Sequence, residues 1–334
     1  MALLSVRRLR RAEYTVVMSI VLFVALVLLA SFLAGGENVL RHISKLDARM
    51  IGGLLLLSLL NYTARWLRWH IFSRHIEVRI PPARSALYYV AGFSMTTTPG
   101  KIGEALRLWL IERCHGYGYD RVTPLLLGDR LSDMNAMVLL CLVGISVYSG
   151  YYWSIFLTVA AFLALTTLFM KPRFLVAVLG QVYAFTGRKR ARFFVKARRV
   201  LRTTARLFTW RVFGGTLLLS VCGWLAECFA FYWLLSELGA PVGFLYAVFI
   251  FAFSMVAGAL SMLPGGLGGV EATMMALLLA PGTSLDVGLA ATAVIRLTTL
   301  WFAVALGFAA LPFALRLARR PDNARDVPKV LAGK

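Results

Sequence analysis

Apolar positions in this chain fall into long unbroken blocks, with neither the alternation of a strand nor the one-sided stripe of a surface helix. Tyr14–Ala34, Ile51–Phe72, Pro124–Tyr148, Trp153–Met170, Val212–Leu235 and Leu289–Leu315 are each long enough to cross ~30 Å of hydrocarbon, which a helix does with roughly 20 residues. They predict six full spans. Two further apolar segments, Ser85–Ile111 and Phe244–Ala280, are interrupted by Pro99-Gly100-Lys101-Ile102-Gly103-Glu104 and by Pro264-Gly265-Gly266-Leu267-Gly268-Gly269-Val270-Glu271. Proline and clustered glycine stop a helix, and broken backbone at membrane depth is tolerated only where protein or a water-filled cavity shields it. These segments are therefore expected to be re-entrant hairpins. The predicted fold class is an all-α integral membrane protein with about eight hydrophobic segments, six spans plus two broken-helix hairpins.

Composition supports this: 60% of residues are hydrophobic and 15% charged. No connecting stretch is large enough for a soluble domain, so residues 1–334 read as a single membrane domain. The first block follows Arg7, Arg8, Arg10 and Arg11, as a signal peptide would. Its length and the lack of a small-x-small cleavage site favour an uncleaved anchor. Cys114, Cys141, Cys222 and Cys228 form no CxxC pair, and His42, His70, His75 and His115 are scattered. Neither a disulfide framework nor a metal site is indicated, and no cofactor or catalytic residue is expected.

The net charge is +21, and residues 171–211 hold twelve Lys/Arg with no acid. In a soluble protein such a run points to nucleic acid. Here it lies between spans and is interleaved with Phe174, Leu175, Phe185, Phe193, Phe194, Val200 and Leu201, which fits basic interfacial helices on an anionic leaflet. It serves either as a topology signal or as a headgroup-binding surface. The positive-inside rule puts this loop, the N-terminus, the Arg74–Arg84 segment and the tail 316–334 in the cytoplasm. Ser85–Ile111 then enters and leaves from the cytoplasm, and Phe244–Ala280 from outside. Residues 51–148 and 212–315 become two repeats of opposite orientation. Arg130 lies 31 positions after Pro99 and Arg296 lies 32 after Pro264, which strengthens the pairing.

The charged residues at depth are the candidate site. With Pro99 as the break, Gly100, Gly103, Glu104 and Arg107 share a helical face, and Lys101 adds a charge in the first turn. Free N–H groups at a helix start attract a phosphate-sized anion. The competing reading is that the glycines only pack helices while Glu104 pairs with Arg107. The second motif offers Gly265, Gly266 and Gly268 but no lysine, and its Glu271 is suited to pair with Arg296 or another cation; here too the glycines could serve packing alone. Asp129, Arg130 and Asp133 share one face, with Arg130 placed to hold a phosphate bidentately. Arg65, Trp66, Arg68 and Trp69 end the second span as interfacial anchors, Arg65 lying deep enough to reach a headgroup. Glu227 is an isolated acid at depth, either a proton carrier or a partner for an arginine. The phosphate-contact set is Gly100, Lys101, Gly103, Arg107, Arg130, Arg296 and Arg65.

The ordered elements Pro99-Gly100…Gly103-Glu104…Arg107, Asp129-Arg130…Asp133, Pro264-Gly265-Gly266…Gly268…Glu271 and the late Arg296 resemble the flippase-like family of the lysylphosphatidylglycerol synthase transmembrane region. One departure is Asp129, where the family pattern has Glu, which shortens the reach to Arg130. The resemblance implies lipid translocation; relatives include the flippase half of multiple peptide resistance factor and proteins linked to hopanoids or archaeal polyprenyl glycans. The synthase's aminoacyl-transferase domain is not expected, because the chain ends about twenty residues after its last apolar block. The expected function is movement of an anionic phospholipid or polyprenyl-phosphate glycolipid across the bacterial inner membrane, with both termini cytoplasmic. Its partners would be membrane lipids with anionic headgroups and lipid-synthesis enzymes, not nucleic acid. The alternatives are a membrane-embedded lipid-modifying enzyme and a non-catalytic partner in an envelope-synthesis complex.

Overall fold

The computed structural model of the protein describes residues 36–97, 102–145, 173–185, 191–261 and 263–319, with residues 156, 160 and 164. The predicted spans Tyr14–Ala34 and most of Trp153–Met170 lie outside these residues. So do Pro99, Gly100, Lys101, the side chain of Glu104 and the tail beyond Arg319.

Every described element is helical. In chain order these are α1 (Gly36–Ser44), α2 (Ala48–His75), α3 (Pro82–Ala91) running into a 3-10 turn (Gly92–Met95), α4 (Ile102–His115) and α5 (Tyr119–Ile145). The basic stretch folds into α6 (Arg173–Phe185) and α7 (Ala191–Leu207). Then come α8 (Trp210–Glu237), α9 (Phe244–Leu260), a 3-10 turn (Pro264–Gly266), α10 (Gly269–Leu279), α11 (Leu285–Arg296), a π-helical turn (Leu297–Trp301) and α12 (Phe302–Arg319). Among the described residues, α2, α8 and the continuous helix Leu285–Arg319 are long and apolar enough to cross a membrane. α5 has comparable length, 27 residues, but it carries the Asp129–Asp133 charges. It starts five residues before the predicted Pro124, because the Gly118 carbonyl already accepts the Val122 N–H at 3.3 Å.

The second interrupted segment breaks where its proline and glycines fall, whereas Pro99, Gly100 and Lys101 of the first lie outside the described residues. In the second, Gly265, Gly266 and Gly268 have φ of 63°, 69° and 84°, a left-handed region that side chains with a Cβ avoid. The chain thus reverses within a few residues, and α9 and α10 pack on one another across the break. α3 and its 3-10 turn likewise pack on α4. The two breaks meet: a methyl group on Gly265 would lie 3.2 Å from Thr97 Cγ2. α12 crosses the first hairpin so closely that a Cβ on Gly307 would fall 2.1 Å from the Ser94 backbone nitrogen. Small residues of this kind drive helix association where lipid removes the hydrophobic incentive.

The apolar interior forms two cores. One gathers α9, α10, α11 and the later halves of α5 and α8, including Ala136, Leu140, Phe231, Leu234, Phe251 and Met274. The other gathers α3, α4, the end of α2, the start of α5 and α12, including Trp69, Phe72, Tyr88, Leu106 and Leu125. On α5 the acids Asp129 and Asp133 sit between Leu125 of one core and Ala136 of the other. On α8, Ser220 sits between Phe213 and Trp224 in the same way. The polar residues therefore collect at the junction of the cores.

Candidate functional site

α2 and α5 bring matching charges together because their spacings match. Arg65 and Arg68 are three residues apart on one face of α2, and Asp129 and Asp133 are four apart on one face of α5, so each pair spans about one turn. Arg65 Nη2 donates to Asp133 Oδ2 at 2.9 Å. Arg68 donates through Nε to Asp129 Oδ1 at 3.2 Å, through Nη2 to the Asp129 carbonyl at 3.1 Å and through Nη1 to Ser220 Oγ at 2.6 Å. Its Nη2 also lies 2.8 Å from Asp133 Oδ1. Trp224 Nε1 of α8 donates to that same oxygen at 3.0 Å, and Tyr89 of α3 donates its hydroxyl to Asp129 Oδ2 at 3.3 Å.

Arg107 of α4 closes the cluster. Its guanidinium lies 3.7 Å from the Tyr89 ring centroid, with Phe93 and Trp69 farther around it. Nε donates to the Tyr89 carbonyl at 3.1 Å, while Nη1 has no hydrogen-bond partner and stands 3.6 Å from Asp129 Oδ2. Aromatic faces stabilise a cation that is out of water. Arg130 lies 3.9 Å from Asp133, and its side chain keeps 35% of its surface open. It is the most accessible arginine of the group, whereas Arg68 and Asp129 are fully buried.

Arg65, Arg68 and Arg107 share the carboxylates of Asp129 and Asp133. A buried ion costs several kcal/mol unless paired, so buried guanidinium N–H groups left without an acceptor favour an anion. Arg65 Nε and Arg107 Nη1, both buried without acceptors, are the donors left for it.

The second broken motif is organised differently. Glu271 Oε2 accepts the Gly268 N–H at 2.7 Å, and its Oε1 accepts from Arg296 Nε at 2.7 Å. Arg296 Nη2 donates to the Gly265 carbonyl at 2.9 Å. Arg296 and Glu271 thus fasten the break to α11 and neutralise each other. The π turn begins at the next residue. It frees backbone carbonyls from the usual ladder, and Tyr62 of α2 donates its hydroxyl to that of Thr299. Glu227 of α8 is buried one turn after Trp224, whose ring lies 5.0 Å from the Arg65 guanidinium.

The structure brings Arg65, Arg107, Arg130, Asp129 and Asp133 into one cluster and places Arg296 with Glu271 in another. It corrects the reading of Arg68 and Trp69 as interfacial anchors: both are fully buried, because α2 continues to His75 and the acids of α5 draw Arg68 inward. Tyr89, Ser220 and Trp224 were not expected in the site. The spacing of Arg65 and Arg68 matches that of the two aspartates, but this becomes a signal only once α2 is seen to pack on α5. Nothing in the sequence ties Tyr89 or Ser220 to them.

A family model described as the lysylphosphatidylglycerol synthase TM region matches residues 16–307. A UPF0104 membrane protein of Pyrococcus horikoshii is 24% identical over 314 residues, covering 86% of this chain and 94% of that protein. A UPF0104 membrane protein of Methanothermobacter thermautotrophicus is 23% identical over 272 residues, covering 74% of this chain and 80% of its own.

Proposed function

From a chain that belongs to the family of the lysylphosphatidylglycerol synthase transmembrane region, we propose a lipid translocase. It moves an anionic phospholipid or a polyprenyl-phosphate glycolipid across the cell's inner (plasma) membrane, with both termini cytoplasmic. The observation that carries this reading is the pair of buried guanidinium donors, Arg65 Nε and Arg107 Nη1, left without an acceptor at the junction of the two cores. A lipid phosphate accepts from guanidinium in the paired geometry that favours arginine.

In this reading α3–α4 and α9–α10 are re-entrant hairpins of two inverted repeats, and their meeting at Thr97 and Gly265 is the place where the repeats move past each other. Gly100, Lys101 and Gly103 belong to the approach of the phosphate, and Arg130 guides it to Arg65 and Arg107. Arg296 and Glu271 hold the second break in register. The basic face of α7 rests on the cytoplasmic leaflet, tied to α5 by the Arg199–Asp120 pair at 2.8 Å. The protein performs no bond-making step.

Vesicles reconstituted with the protein and a fluorescent phosphatidylglycerol, quenched from outside, test the proposal. Quenching should pass well beyond the half of the label that protein-free vesicles expose, and phosphatidylcholine should move more slowly. Equal, protein-independent quenching of both lipids would remove the translocase reading.

A further inference from the structure

We propose that Glu227 is an internal counter-ion that competes with the lipid phosphate, so that anion binding at the arginine cluster is coupled to protonation of Glu227. The inference rests on the reading of that cluster as an anionic-lipid site. It adds the group that regulates occupancy and a route by which a proton gradient drives transport.

Glu227 lies three residues after Trp224 on α8 and is 3% exposed. Trp224, one turn before it, donates to Asp133 at 3.0 Å and has the Arg65 guanidinium 5.0 Å from its ring, which puts Glu227 beside the cluster. The titratable and charged groups around it are Arg65 and Tyr62 of α2, Asp133 of α5 and Arg296 of α11, with Cys228 as its chain neighbour. These neighbours are already committed. Asp133 accepts from Arg65 and Trp224 and lies 2.8 Å from Arg68. Tyr62 donates its hydroxyl to the Thr299 carbonyl, and Arg296 is held by Glu271 and Gly265. Among the described residues no donor hydrogen-bonds to Glu227 and no cation pairs with it within 4.0 Å. Glu227 is therefore the acid of the site whose charge is least secured.

The coupling follows from charge. When Glu227 holds a proton, Asp133 is the described carboxylate paired with Arg65, and the Arg65 Nε is most open to an anion. A phosphate is then bound most tightly. When the proton leaves to solvent, the carboxylate neutralises part of the Arg65 charge and the phosphate is weakened. By reciprocity, a bound phosphate favours uptake of a proton by Glu227. Anion and proton thus enter and leave the site together.

The test is binding of a fluorescent phosphatidylglycerol to the protein in zwitterionic nanodiscs between about pH 6 and about pH 9, where the lipid phosphodiester keeps a single charge. Wild-type affinity should fall with rising pH, by up to about tenfold per unit where Glu227 ionises. Glu227→Gln should bind tightly at every pH. A pH slope that persists in Glu227→Gln assigns the effect to another group and overturns the inference. So does wild-type binding that is flat in pH, although the lipid-site reading then stands. Wild-type protein that binds no phosphatidylglycerol at any pH removes that reading and the coupling with it. Proton uptake by wild-type protein serves if the variant does not fold: adding saturating phosphatidylglycerol at about pH 8 in weak buffer should take up protons, to at most ~1 per lipid bound. Binding without uptake overturns the coupling.

Discussion

Arg68→Ala is expected to lower the stability of the folded protein by about 3–5 kcal/mol, the usual cost of removing one partner from a buried ion pair. Arg68 is fully buried and supplies Asp129, Asp133 and Ser220 at once, so its loss strips donors from two carboxylates that have no water to turn to. Arg107, 3.6 Å from Asp129, compensates in part only, because its Nε is already bound to the Tyr89 carbonyl. Thermal unfolding in detergent reads the effect. Arg68→Met combined with Asp129→Leu should recover part of the loss, since the pair is replaced as a unit while Arg107 and Asp133 each lose one partner. A single variant as stable as wild type would mean that these groups are hydrated and that the cluster is not buried.

Arg107→Gln has the second large effect, on transport rather than on folding. Glutamine still donates to the Tyr89 carbonyl, so the packing of α3 on α4 is kept, but the charge and the unpartnered Nη1 are lost. One hydrogen bond to a charged group contributes about 1.5–3 kcal/mol, which predicts a rate of phosphatidylglycerol movement lower by roughly 10–100-fold. Phosphatidylcholine movement should change less. Arg316→Ala, near the end of α12, should leave both rates near wild type. If Arg107→Gln and Arg316→Ala behave alike, Arg107 is a structural cation and its open donor serves no lipid.

The long apolar blocks were legible because burial in lipid is read directly as hydropathy. α2, α8 and the helix Leu285–Arg319 follow those blocks closely. The break at Gly265–Gly268 was legible for a different reason: consecutive glycines at positive φ leave a sequence mark that nothing else explains. The position of Arg68 was not legible. A Trp-Arg cluster at the end of a span has the composition of an interfacial anchor, and only the register of α5 against α2 decides that Arg68 turns inward. Tyr89 and Ser220 were out of reach for the same reason, because each joins the site through a long-range contact between helices far apart in sequence. The π turn after Arg296 has no turn-forming residue of its own; Leu297–Trp301 reads as ordinary helix, and its link to Tyr62 comes from packing.

The central claim is that buried arginine charge at the core junction is balanced by a lipid phosphate, and native mass spectrometry of the purified protein tests it most directly. After exchange into a neutral detergent, wild-type protein should retain about one anionic phospholipid or polyprenyl phosphate, as expected of a tight single site. Arg65→Gln combined with Arg107→Gln, which removes both unpartnered donors, should release it. Retention of the same anionic lipid by the double variant, or retention of zwitterionic lipid alone by wild type, would contradict the account.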